Sequence, residues 1–299
     1  MVARPFFMSP TLFATIPYLC SMICIDIEYR SWWWPFTRRV RGFAPTRWWE
    51  MDESHFIAVV RTILGDITED EYWAALFGLP RRIVAQLDPW HRHVLGQQLK
   101  WMETGKSESS RFFIRRIGRF LAPDDALGSM SLQQFMTVDT FFIQYTDTIS
   151  DEKPRGDVAR LCRMVAALYL RPGETYFAQH RGDRVADIEG NARILIKAPL
   201  CKTWGVYLNW VMIRNWLSRA YPMLFPESDD DKNSTSDTSA KNDKKNDGKR
   251  RTRKLSAWLD TFDSFMGNDI AHLDTYRKMA ATDAFRLMNK RIRNAAIKK

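Results

Sequence analysis

The chain has 299 residues, 45% hydrophobic and 13% aromatic, with a formal net charge of +10 and a pI near 9.5. That length fits two ordinary domains or one with appendages, and the apolar content can bury a core, which excludes a wholly disordered protein. The positive balance favours acidic partners, whether nucleic acid, an anionic membrane surface or an acidic protein, without choosing among them.

Residues 1–22 read as a leader. Pro5 to Ile25 carries no charge, and Arg30, Arg38, Arg39 and Arg41 follow, the outline of a membrane anchor. Pro5, Pro10 and Pro17 would interrupt a spanning helix, and no small-x-small site completes a secretory signal. An unstructured leader from an upstream start codon is therefore the expectation. Ile25-Asp-Ile-Glu-Tyr-Arg30 then alternates apolar and polar residues, which predicts a short β-ribbon over 23–43.

From Met51 the pattern becomes helical, and residues 44–226 are expected to form a helical body with sub-units 44–103 and 127–226. Asp52 or Ser54 can cap a helix carrying Phe56, Val59, Val60, Ile63 and Leu64. Gly65 ends it, and Thr68-Glu-Asp-Glu71 opens a second with Tyr72, Trp73, Leu76 and Phe77. A short third helix is predicted from Ile83 to Leu87. A fourth starts at Pro89 and has Trp90, Val94, Leu95 and Leu99 on its apolar side. After the polar break 105–110, helix is predicted to resume with Phe112, Phe113 and Ile117. Ser131 caps a helix over Leu132–Tyr145, Asp157–Tyr169 forms another, and Arg171-Pro-Gly-Glu174 makes a turn. A long aromatic-rich helix follows Pro199 and ends before Pro222.

Residues 227–254 are dominated by Asp, Asn, Ser, Thr and Lys, with Ala240 the only apolar side chain. Such a stretch cannot bury enough apolar area to offset its chain entropy, so it reads as a disordered basic linker. Residues 255–299 read as a small C-terminal helical unit. In it Leu255, Trp258, Leu259, Phe262, Phe265 and Met266 recur at spacings of three and four. A last helix holds Phe285, Leu287, Met288 and Ile292. The fold class is mainly α.

Residues that could carry chemistry are few. His91 and His93 are two apart on a helix and point to different sides, so they do not share a metal. The cysteines Cys20, Cys24, Cys162 and Cys201 are irregularly spaced and read as reduced thiols. Cys20-x3-Cys24 lacks the second half of a zinc site. Gly-rich phosphate loops, Gly-x-Ser-x-Gly and His-Glu-x-x-His are absent from the sequence. Asp124-Asp125 and Asp229–Asp231 read as capping or solvated carboxylates. No catalytic residue, cofactor or metal site is predicted. Two binding candidates remain. The stripe of Trp258, Phe262 and Phe265 either packs internally or docks a partner helix. The run of Lys249, Arg250, Arg251, Arg253 and Lys254 either solubilises the linker or meets phosphate or an acidic surface.

Several segments resemble tail assembly chaperone-like proteins of phages and prophages. Ala44-Pro-Thr-Arg-Trp-Trp-Glu-Met-Asp-Glu-Ser-His-Phe56 is similar to an opening common in that family. Gly128-Ser-Met-Ser-Leu-Gln-Gln-Phe135 resembles a second version of it. Ala166-Ala-Leu-Tyr-Leu-Arg-Pro-Gly-Glu-Thr-Tyr176 is similar to a family segment, with Leu170 inserted before Arg171. Gly267-Asn-Asp-Ile270 and Leu287-Met-Asn289 resemble its close. The leader departs from the pattern. The resemblance implies a non-enzymatic scaffold that holds a tape-measure or other tail component in a bacterial host cytoplasm, with no catalytic residue carried over. The competing classes are a basic DNA-binding packaging or regulatory protein, a membrane-attached factor and, last, an enzyme.

Overall fold

The computed structural model describes residues 12–14, 22–30, 37–104, 107–177, 184–225, 262–267 and 269–297. The period-two pattern near the N-terminus becomes a three-stranded antiparallel sheet of β1 (Leu12–Ala14), β2 (Ile23–Arg30) and β3 (Thr37–Ala44), with β2 central. The predicted ribbon is β2 and β3, in register Ile25 opposite Gly42 and Ile27 opposite Val40. One sheet face buries Ile25 and Ile27; the other pairs Arg41 with Asp26 at 2.9 Å and Arg39 with Glu28 across the strands. Strand β1 corrects the expectation for residues 1–22: Leu12–Ala14 extends the sheet by pairing with β2, an edge interaction that local sequence does not announce.

The chain divides into two units, residues 1–109 with 200–205, and residues 110–199 with 206–299. In the first, the sheet's apolar face joins helices α1 (Glu53–Ile63), α2 (Glu69–Phe77), α3 (Arg81–Val84), α4 (Pro89–Gln98) and α5 (Trp101–Thr104). Its core gathers Ile25, Ile27, Phe77, Ile83 and Leu95. Gly42 allows the close approach of strand to helix, since a Cβ there would lie 2.8 Å from the Phe77 carbonyl oxygen. Asp52 caps α1 by accepting from the His55 backbone N–H at 2.9 Å, and Thr68 with Glu71 forms a reciprocal capping box on α2. Gly78, at φ +63, ends α2 in the left-handed region. Two apolar assignments fail: Ile63 and Trp90, placed on buried faces by spacing, are 59% and 65% exposed. Ile63 closes the last turn of α1, and Trp90 sits in the first turn of α4 on the outward side, its ring edge-on to the buried His91 at 5.1 Å.

The second unit opens with extended chain where helix was expected. Strands β4 (Arg116–Ile117) and β5 (Phe120–Leu121) form a hairpin. Gly118 holds the first of its two loop positions at φ +59, which the tight hairpin turns require. Phe112, Phe113 and Ile117 are buried all the same, so the apolar content was correctly read and the period was not. Helices α6 (Leu132–Thr146), α7 (Val158–Leu168) and α8 (Ile188–Leu195) pack in sequence, α6 on α7 and α7 on α8. The short parallel pair β6 (Glu174–Thr175) and β7 (Arg184–Val185) precedes α8. The helix predicted after Pro199 is α9 (Leu200–Ala220).

Beyond it, residues 262–266 form a helical turn, followed by α10 (Leu273–Lys278) and α11 (Ala281–Ile297). Both α10 and α11 pack on α6. The Leu132 N–H donates to Met279 O at 2.8 Å and the Ala281 N–H to Met130 O at 2.9 Å, so the starts of α6 and α11 are stitched by a β-bridge. Phe285 is fully buried between Phe135 at 4.7 Å and Phe225 at 5.3 Å, ring centre to ring centre. The described C-terminal helices are thus part of the second unit and not a unit of their own. The predicted linker, 227–254, lies outside the described residues.

Candidate functional site

The predicted binding residues separate. Phe262 and Phe265 are buried. The Phe265 ring meets Tyr276 edge-on at 5.4 Å, the Arg291 guanidinium lies 4.8 Å over it, and Arg291 donates to the Phe265 carbonyl. Both phenylalanines therefore hold the C-terminal segment to its own fold. Trp258, Lys249, Arg250, Arg251, Arg253 and Lys254 lie outside the described residues.

Three constellations of buried or nearly buried polar side chains stand out in the second unit. On α6, Asp139 meets Arg214 of α9 at 2.9 Å, and that guanidinium also covers the Phe142 ring at 4.7 Å. Asn209 of α9 clamps the extended strand before β4: its Oδ1 accepts from the Phe113 N–H at 2.9 Å and its Nδ2 donates to Arg111 O at 2.9 Å. A side-chain amide thereby satisfies backbone that has no ladder partner. Glu174, with its side chain only 3% exposed, accepts from the Arg171 N–H at 3.1 Å and Asn191 Nδ2 at 3.2 Å, with Arg171 and Arg184 nearby at 3.8 and 3.7 Å. It joins β6 to Arg184 of β7 and to Asn191 of α8, beside Tyr176, whose hydroxyl donates to Thr137 at 2.6 Å. Sequence reasoning singled out Glu174 as a turn residue but missed Asp139, Asn209 and Arg214, whose partners stand many residues away.

The remaining titratable groups are held by local geometry. His91 is buried in the first turn of α4, its Nδ1 2.7 Å from Asp88, and the hydrogen bonds from His91 hold the Asp88 carboxyl below its usual range. His93 turns instead to Gln97 at 3.1 Å. Burial pushes the Cys162 thiol up to about 11 and the Tyr72 phenol up to about 12. Cys24 and Cys201 are half-buried and free. Among the described residues, no group of three His, Cys, Asp or Glu side chains is placed to hold a metal, and no helix is long and apolar enough to cross a membrane. Asp125, read as a capping or solvated carboxylate, accepts from the Phe112 N–H at 3.0 Å and pairs with Arg115 at 2.6 Å, a tie across the hairpin.

The segments Met51–Phe56 and Met130–Phe135 have a common physical job. Met51 and Met130 each precede an N-cap, Asp52 or Ser131, and Phe56 and Phe135 each stand four residues inside the helix. All four apolar side chains are buried. These are the two positions of a hydrophobic staple flanking a polar cap, and a 3-10 turn lies just upstream of each, Trp48–Glu50 and Asp125–Leu127. The similarity between the two openings is therefore a similarity of helix starts, one in each unit. On the surface of the first unit, Phe43, Trp49, Ile63 and Trp90 are exposed, with the Arg47 guanidinium 4.7 Å over the Trp49 ring. No family model, curated protein or solved structure matches the chain.

Proposed function

We propose that the protein is a non-enzymatic scaffold or chaperone of phage tail assembly, working in the bacterial host cytoplasm on a tape-measure or other helical tail component. The observation that carries this reading is the duplicated helix start. The two segments that resemble the family's opening use the same residue classes, in the same order, to begin α1 and α6. The exposed aromatic and aliphatic side chains of the first unit supply what a helix-binding protein uses as anchors, large apolar groups presented on a folded support.

Co-expression with tagged tape-measure fragments tests it. Wild-type protein is retained by the fragment. Trp49→Ala with Trp90→Ala lowers retention at least tenfold while leaving thermal unfolding in place, because both side chains are already exposed. Trp258→Ala, made separately, tests the residue predicted from the C-terminal stripe. Failure of folded wild-type protein to retain any tape-measure or tail-tube component overturns the reading. Tape-measure and tail-tube genes beside the coding sequence would support it independently.

A further inference from the structure

The last acidic residue of the sequence is Asp283, and Arg286, Lys290, Arg291, Arg293, Lys298 and Lys299 follow it. Helix α11 sorts these cations by face. Ala284, Phe285 and Met288 are buried against the body. Arg286, Lys290 and Arg293 recur at spacings of four and three on the exposed side, as neighbours on one helical face. Arg286 shares its charge with Asp283 at 3.3 Å, and Arg291 is committed to Phe265. Lys290 and Arg293 have no anionic partner among the described residues.

We propose that this face binds the phosphate backbone of duplex nucleic acid without reading its sequence. The inference does not rest on the tail-assembly reading. A helix pinned by Phe285 and by the stitch to α6 fixes its cations over a rise of about 10 Å. A duplex offers about one negative charge per 1.7 Å of its axis, so a rigid row of cations meets phosphates in any register. Phosphate contact alone carries no sequence information.

Three other ligands fit less well. Protein interfaces bury an apolar, charge-depleted centre, and Leu287 is the only large apolar side chain exposed on the described part of this helix. A lipid surface takes up the apolar stripe of an amphipathic helix, and here that stripe is in the core. Single strands are gripped by stacking on aromatic side chains, and α11 has only Phe285, which is buried.

The test compares full-length protein with its R286Q/K290Q/R293Q variant by fluorescence anisotropy on a labelled random-sequence duplex of about 20 base pairs, titrated from about 50 to 200 mM salt. Each phosphate contact contributes about 0.9 to the slope of log affinity against log salt, so the variant's slope is shallower by about 2.7. Its affinity at about 0.1 M salt falls roughly a hundredfold or more. R286K/R293K keeps the charges and keeps the slope, which separates charge loss from misfolding, and unchanged thermal melts check the fold. An unchanged slope in the triple variant overturns the proposal. So does loss of binding only when the cations of Lys249–Lys254 are replaced, or retention of polyglutamate or anionic vesicles in place of the duplex.

Discussion

Truncating Asp139 to alanine leaves the Arg214 guanidinium, 16% exposed, without the carboxylate 2.9 Å away. Breaking a buried ion pair from one side costs about 3–5 kcal/mol, and the partial exposure of Arg214 puts this pair at the low end, because the surviving charge is left in a largely desolvated site. Asp139→Ala therefore lowers the unfolding free energy by about that amount. Asp139→Leu with Arg214→Met, which removes both charges and keeps the volume, recovers most of it, and urea titration of the three proteins measures the difference. An unfolding free energy for Asp139→Ala within about 1 kcal/mol of wild type would show that the pair contributes no more than a surface salt bridge. Nothing in the sequence near Asp139 marks it as paired. Its partner is 75 positions away on another helix, and a lone Asp inside the amphipathic pattern of α6 looks like a residue facing solvent. The same holds for Asn209, whose value comes from two backbone groups at Arg111 and Phe113 that have no ladder of their own.

Helix starts are the opposite case, since a cap and the N–H it satisfies lie within three residues. The sequence offers Asp52 or Ser54 and then Ser131 as caps, and in the structure Asp52 and Ser131, with Thr68 and Asp157 besides, each accept from backbone near the start of their helices. Replacing Ser131 by alanine is expected to destabilise the second unit by about 1 kcal/mol, and Asp52→Ala to do the same to the first. Differential scanning calorimetry of each variant reads the cost, and Ser131→Thr, which preserves the acceptor, leaves the transition where it was. The hairpin β4–β5 was misread for a related reason. Phe112, Phe113 and Ile117 match helical spacing, and the turn that overrides it depends on Gly118 alone. Helix α8, capped by Asp187 and buried through Asn191, Ala192 and Leu195, is absent from the elements predicted from the sequence and carries Gly190 in its first turn. The Asp187 carboxylate accepts from the Gly190 N–H at 2.9 Å, and a side chain at position 190 would require that carboxylate to turn aside. Among the described residues, left-handed non-glycine backbone occurs at Ala126 and Leu127, which precede the cap of α6 and bury Leu127 completely, a conformation that propensity does not foretell.

At the scale of the molecule, the mainly helical architecture followed from periodicity, while the membership of the C-terminal helices did not. Their apolar stripes were evident, but a stripe does not name what covers it. Phe285, flanked by Phe135, Phe225 and Tyr221, shows that α11 closes a seam begun more than a hundred residues earlier. Mild trypsin treatment cutting between 227 and 254 is therefore expected to yield two fragments that co-elute in size-exclusion chromatography and separate only in denaturant. Phe285→Ala removes the central ring, at about 3–5 kcal/mol, and releases the smaller fragment after the same cut. Separation of the wild-type fragments without denaturant would mean that the seam is weaker than its burial implies. The chain leaves this seam at Phe225, which packs on Phe285, and returns to it at Phe265, which packs on Arg291, so both departures are moored to one helix. When two ends are already fixed by their surroundings, the length of chain joining them matters little, and doubling a flexible span changes the closure free energy by only about 0.6 kcal/mol. Inserting residues between Phe225 and Phe262 is therefore expected to cost the second unit only about 0.6 kcal/mol for each doubling of the span, which urea titration of lengthened variants would measure.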